Sequence, residues 1–183
     1  MPGVIRPARP RDAAGIADVH VASWRTTYPG MLPARYLLGM SRQSSYDRWQ
    51  RTLSSPNTAA GTYVAFDARA GVVGFGSCGQ QRSSIEGFGG EFFAIYLYDH
   101  AQGRGFGRRL MAAMAEDLID RGMNSAVVWV LSTNPSRWFY ERLGGVRIAE
   151  QEIDFAKSSV VETAYGWRDL APLARLSADP PVG

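Results

Sequence analysis

The stretch QGRGFG, Gln102 to Gly107, constrains this chain more than any other, because three glycines stand at alternate positions between segments of opposite character. Upstream, EFFAIYLYD (Glu91 to Asp99) is rich in aromatic and β-branched residues and reads as a well-buried strand. Downstream, Phe106, Leu110, Met111, Met114, Leu118 and Ile119 recur at helical spacing, while Arg108, Arg109, Glu116, Asp117 and Asp120 take the other face. The glycines therefore lie at a strand-to-helix junction. The first N–H groups of a helix have no intrahelical partners, and the dipole there favours anions. Glycine lets a phosphate approach those amides without meeting a Cβ. A tight glycine-rich loop without a ligand is the plainer alternative.

Other glycine motifs fit less well. Gly103, Gly105 and Gly107 give G-x-G-x-G, not the G-x-G-x-x-G of a dinucleotide site, and no Lys-Ser/Thr pair follows as in a P-loop. Arg104-Gly105-Phe106-Gly107 matches half of an RNA-recognition strand, but Arg108 stands where the stacking aromatic belongs.

The 183 residues suit one domain, expected over 1–176, with 177–183 (SADPPVG) as a disordered tail. Hydrophobic content of 45% and charged content of 20% are those of a soluble globular protein. No apolar run approaches the ~20 residues of a membrane span, and the start MPGVIRPARPRD has no apolar signal core. The single Cys78 excludes an intrachain disulfide and fits a reducing compartment, so a cytoplasmic location is expected. Net charge is +3, carried almost wholly by arginine, with Lys157 the one lysine. No basic run reads as a nucleic-acid stripe. Two histidines and one cysteine, widely spaced, match no metal-ligand pattern, so no metal is expected.

Patterning orders the rest. Val4-Ile5-Arg6 reads as a strand. Asp12 reads as the N-cap of a helix carrying Ile16, Val19, His20 and Trp24, broken by Pro29-Gly30. Pro33 would sit in the first turn of a short helix to Met40, and another helical stretch covers about 44–53. Strands follow at Thr62–Phe66 and Val72–Cys78, then the strand from Glu91, the Phe106 helix, the strand Ala126–Leu131, the short helix of NPSRWFYERLGG and a closing hairpin, Val146–Phe155 with Val160–Trp167. The expected order is β-αα-βββ-α-β-α-ββ, an α/β (α+β) fold with a mixed sheet and helices on its faces. His20 lies on an apolar helix face and reads as a hydrogen-bonded packing residue. Ser77 lacks the first glycine of a nucleophile elbow, and Cys78 reads as a small buried apolar residue.

Strand, glycine turn, helix, strand and short helix in this order resemble the GNAT superfamily of acyl-CoA-dependent N-acyltransferases. Gln102, Gly105 and Gly107 match its Q/R-x-x-G-x-G/A turn, and Asn134, Phe139, Tyr140 and Gly144 match its following helix. The match covers about residues 61–168. Asp99 and His100 stand where many members have proline, which leaves the turn glycines untouched.

The resemblance implies a twisted, mostly antiparallel sheet, acetyl-CoA as co-substrate, and transfer to an amine of a small molecule or peptide. Backbone amides of Gln102, Gly103, Arg104, Gly105, Phe106, Gly107 and Arg108 would hold the pyrophosphate, with Arg104 and Arg108 adding charge. The Leu97 N–H would polarise the thioester carbonyl. Tyr140 is the candidate acid, its alternative a core aromatic. Glu91 is the candidate base, its alternative a strand-start carboxylate in solvent. Asn134 would contact the cofactor or cap its helix. Trp24 and Tyr28 would line the acceptor pocket by cation–π contact, or serve packing. The acceptor stays open among polyamines, amino acids, drug-like amines and protein N-termini, and a homodimer is compatible with the family. A non-catalytic acyl-CoA-binding or sensing module is the rival class, and an RNA-binding domain built on RGFG is a third.

Overall fold

The computed structural model describes residues 3–55 and 61–177. The tail expected at 177–183 lies outside the described residues except Ser177, which ends a 3-10 turn, Arg175–Ser177. Strand β1 (Val4–Pro7) leads into helices α1 (Ala13–Thr27), α2 (Ala34–Gly39) and α3 (Arg42–Ser54). Three antiparallel strands follow: β2 (Gly61–Asp67), β3 (Gly71–Gln80) and β4 (Gly90–Leu97). Helix α4 (Phe106–Asp120) crosses to β5 (Ala126–Leu131). Helix α5 (Arg137–Arg142), the hairpin β6 (Val146–Phe155) and β7 (Ser158–Trp167), and a last turn of helix, α6 (Ala171–Ala174), complete the chain.

The sheet order is β1-β2-β3-β4-β5-β7-β6. Among the described strands only the β4–β5 pair is parallel, as a helical crossover requires, and β7 lies between β5 and β6. The expected mixed, mostly antiparallel sheet is thus the observed one. Three helices precede β2, one at each of the three stretches expected to be helical, although the condensed order counted two. Pro33 is the N-cap of α2 and not part of its first turn, since its ψ of 128° is not helical. Asp12 precedes α1, but its side chain does not cap it. The carboxylate instead takes the Arg6 guanidinium at 2.7 Å and the Arg9 N–H at 2.8 Å. Those bonds hold the Asp12 pKa below the usual carboxylate range against the opposing effect of burial.

Helices cover both faces of the sheet. Ile16 and Val19 of α1, with Trp49 and Leu53 of α3, pack on Val64 and Phe75. On the other face Met111, Met114 and Leu118 of α4 join Leu170 and Leu173 against Phe92, Val128 and Trp167. Burying a side chain of this size contributes ~1.5–3 kcal/mol, so these two layers hold the strands that carry the cleft.

Candidate active site

A bulge in β4 opens the cleft. In the β3–β4 ladder Ser77 pairs with Ala94 and Cys78 with Phe92, so Phe93 is an extra residue. A bulge bends its strand and ends regular pairing. The parallel β4–β5 ladder stops at that point, with Phe92 opposite Val128. Beyond it the two strands part, and Phe93–Leu97 and Val128–Leu131 line a cavity of about 870 Å³. Strand amides alternate in direction. The Tyr98 N–H donates to the Val73 carbonyl at 3.0 Å, so the Leu97 N–H points away from β3, into the gap. The Leu97 carbonyl faces the same way and accepts from Ser23 Oγ at 3.3 Å.

The glycine turn forms one end of this cleft. After β4, a 3-10 turn (Asp99–Ala101) brings the chain to Gln102. Gly103 has φ +70° and Gly105 φ +81°, left-handed values that side chains other than glycine rarely adopt. Helix α4 then starts at Phe106, where the Arg109 N–H donates to the Gly105 carbonyl at 3.1 Å. The N–H groups of Phe106, Gly107 and Arg108 are therefore at a helix start, without helical acceptors. Gly107 has a different reason to be glycine. A Cβ there would lie 3.2 Å from the Phe139 ring, so its bareness seats α5 against the turn. Gln102, Gly103, Gly105, Gly107 and Arg108 all line the cleft.

Helix α5 supplies the opposite wall. The Asn134 Oδ1 accepts from the Ser136 N–H at 2.9 Å, an Asx turn that opens the helix, and Asn134 is buried while lining the cleft. Tyr140 is 6% exposed, lies parallel to Tyr165 and edge-on to Trp167, and lines the same cavity. Burial pushes its phenol well above the ordinary range, and nearby Tyr28 adds to the shift.

The far end is aromatic. Trp24 in the last turn of α1 and Tyr28 at its C-cap have ring centroids 4.8 Å apart. The Tyr28 hydroxyl meets that of Tyr96 at 3.1 Å, and Phe155 approaches Trp24 at 6.3 Å. Tyr96, Trp129 and Phe155 line the cleft beside the two residues expected there. Trp129 and Phe155 carried no local signal, because only the strand order brings β5 and β6 to α1.

Two expected residues lie elsewhere. Arg104 turns away from the cleft, 3.6 Å from Asp67 and over the Phe106 ring, on the wall of a separate small hollow with Ala68 and Arg69. Its backbone stays in the turn, but its charge is taken up by Asp67. Glu91 is 4% exposed and does not line the cleft. Its carboxylate accepts from the Arg82 N–H at 2.8 Å and the Arg82 guanidinium at 3.0 Å. That guanidinium lies 4.0 Å over the Phe93 ring, so Glu91 braces the bulge.

His20 and Cys78 occupy the packing roles read from the sequence. The His20 Nδ1 is 2.8 Å from Ser45 Oγ, and burial with neighbouring Arg48 lowers its pKa to about 4. Cys78 is buried, and burial beside Asp117 pushes its thiol far up. The RGFG segment forms a turn and a helix start, not a strand, with Phe106 only 2% exposed.

Comparison with known proteins adds three findings. A family pattern described as FR47-like protein matches residues 83–153, which span the bulged strand, the glycine turn and α5. The Bacillus subtilis (strain 168) protein YuaI, named as an uncharacterized N-acetyltransferase, is 40% identical over 172 residues, covering 94% of this chain and 96% of that protein. Among solved structures, the PaiA N-acetyltransferase of Thermoplasma acidophilum, in complex with coenzyme A, superposes with a TM-score of 0.66 at 19% identity, over 89% of this chain and 98% of that one. The GNAT superfamily phosphinothricin acetyltransferase of Sinorhizobium meliloti, in complex with AcCoA, does so at 0.64 and 19% identity, over 91% and 88%. At that identity the two structures speak to the fold.

Proposed function

The chain belongs to the GNAT superfamily of acetyl-CoA-dependent N-acetyltransferases, and from that premise we propose that it transfers the acetyl group directly to a primary amine of a small molecule or peptide. The observation that carries this reading is one continuous cleft joining free amides of a helix start, the parted strands β4 and β5, and Tyr140.

The residues present suit the co-substrate. The glycine turn offers N–H groups without helical acceptors and a helix dipole for a pyrophosphate, and Arg108 adds charge. The parted strands offer unpaired backbone groups for an extended, amide-bearing arm. When bound, acetyl-CoA supplies a thioester carbonyl that an amine attacks, with release of the CoA thiol.

In this reading the Leu97 N–H donates to the carbonyl oxygen as negative charge gathers there. Tyr140 donates to the departing sulfur. Its raised pKa keeps the phenol protonated at every useful pH, but makes full transfer to a thiolate (thiol pKa ~8.5) uphill. Its contribution is therefore a hydrogen bond that strengthens as the sulfur charges. Protons balance: the nitrogen loses one and the thiol gains one, and an acceptor that starts as an ammonium ion releases one more to solvent. No base is assigned to Glu91, whose carboxylate is held by Arg82 outside the cleft.

A panel of primary amines with acetyl-CoA, followed by free-thiol release, tests the proposal. Amine-dependent release supports it. CoA binding without turnover on any amine would favour the non-catalytic sensing module.

A further inference from the structure

The charges on the cleft wall are divided. Among the described residues Arg108 and Arg142 are its cations and Glu162 is its one carboxylate. The cations belong to the glycine-turn end. Arg108 is in the first turn of α4, and Arg142 lies one turn beyond Phe139, whose ring packs on Gly107. Glu162 belongs to the aromatic end. It pairs directly with Leu131 across β5–β7 and with Gln151 across β6–β7, so it shares a sheet face with Leu131. Two residues back on the same face, Val160 packs with Leu131, Trp24 and Phe155 against buried Tyr28.

A carboxylate in such a row needs a reason. Desolvating a charge beside apolar and aromatic groups is unfavourable unless it is paired. Here one oxygen accepts from Gln151 Nε2 at 3.2 Å, and among the described residues no cation forms an ion pair with it. The nearby Arg137 is taken up by the Ser132 carbonyl at 3.0 Å and by the Trp138 ring. Arg35, on α2, donates to the Ala156 carbonyl at 2.8 Å.

Resting on the acetyltransferase reading, we infer that Glu162, with the Trp24–Tyr28–Tyr96 cluster, is the acceptor-binding site, and that its substrate class is a cationic amine on an apolar body that carries no carboxylate. The aromatic faces attract the cation and cover the body, and Glu162 supplies the opposite charge. An amino acid with a free carboxylate would bring a second anion beside Glu162, and among the described residues no cation lines that end of the cleft to receive it. Like charges in a partly desolvated site discriminate strongly.

The probes are phenethylamine, phenylalaninamide and phenylalanine, which separate the carboxylate from the branching beside the amine. Binding is read by quenching of tryptophan fluorescence, to which Trp24 reports, and turnover by thiol release. Phenethylamine and phenylalaninamide should bind, with phenylalanine at least ~10-fold weaker. Glu162→Gln should raise KM for phenethylamine ~10-fold or more, leave KM for acetyl-CoA unchanged, and keep the melting temperature. Glu162→Lys should reverse the preference towards phenylalanine. Equal binding of phenethylamine and phenylalanine, unaltered in Glu162→Gln, overturns the inference even if amines are acetylated. Binding of the expected selectivity with no turnover upholds the inference and removes the catalytic reading instead.

Discussion

The two ends of the cleft are built from different materials. The glycine-turn end is backbone: the N–H groups of Phe106, Gly107 and Arg108, set in place by Gly103 and Gly105 at positive φ. The aromatic end is side chain: Trp24 and Tyr28 from α1, Tyr96 from β4, Phe155 from β6 and Glu162 from β7. The first is encoded within six consecutive residues. The second exists only after the sheet has brought four elements together. A backbone site depends on conformation and tolerates most neighbouring substitutions. A side-chain site can be rebuilt one residue at a time, so it is where members of one fold can differ in acceptor.

That contrast can be broken or sharpened by substitution. The largest effect is expected between the two ends, at Tyr140. Tyr140→Phe keeps the ring packing on Tyr165 and Trp167 and removes the donor, so kcat should fall ~10²-fold, with KM for both substrates little changed. Because burial raises this phenol, the wild-type rate should show no alkaline decline from Tyr140 up to about pH 10. A pH–rate profile of both proteins checks this.

Glu91→Gln comes next. The brace on the Phe93 bulge weakens, and stability should fall by about 1–2 kcal/mol, a loss of a few degrees in Tm. The shape of the pH–rate profile should not change, whereas removal of a general base would abolish its acidic limb. A pair of arginines gives a smaller contrast. Arg108→Ala should weaken CoA binding a few-fold, and Arg104→Ala, whose charge is already spent on Asp67, should leave it nearly unchanged, as read by CoA titration. At neutral pH the smallest effect is at His20, because its contribution emerges only on acidification. Its folded pKa of about 4 lies below the ordinary ~6.5, so the unfolded chain binds the proton first, and stability falls as pH drops from ~6.5 towards 4. Urea melts across that range should show the slope, and His20→Asn should reduce it.

How much was legible follows the same division. The strands, α4 and the glycine turn could be read because their signals are local: alternation, helical spacing, and glycines that a left-handed backbone requires. Strand Ala126–Leu131 is bounded as expected. What could not be read was orientation. Arg104 and Arg108 are four residues apart and equally charged, but only the fold sets one against Asp67 and the other into the cleft. Glu91 lies near the start of the strand that points at the cleft, yet there β4 is still paired with β5, and Arg82 holds the carboxylate aside. The Phe93 bulge leaves no mark in composition. Glu162 carries no local signal, and its place in the cleft follows only from its pairing with Leu131 of β5.

The claim that backbone conformation makes the CoA end is tested most directly by a calorimetric titration of CoA into Gly105→Val. Space around Gly105 is open, with nothing within 4 Å of an added Cβ, so the substitution acts through its φ of +81°. A β-branched residue at such a φ costs about 1–2 kcal/mol or more, and any relaxation turns the free amides of the turn away from the ligand. The account predicts that the variant folds and binds CoA at least ~10-fold more weakly than the wild type. A folded variant that binds CoA as tightly as the wild type would contradict it.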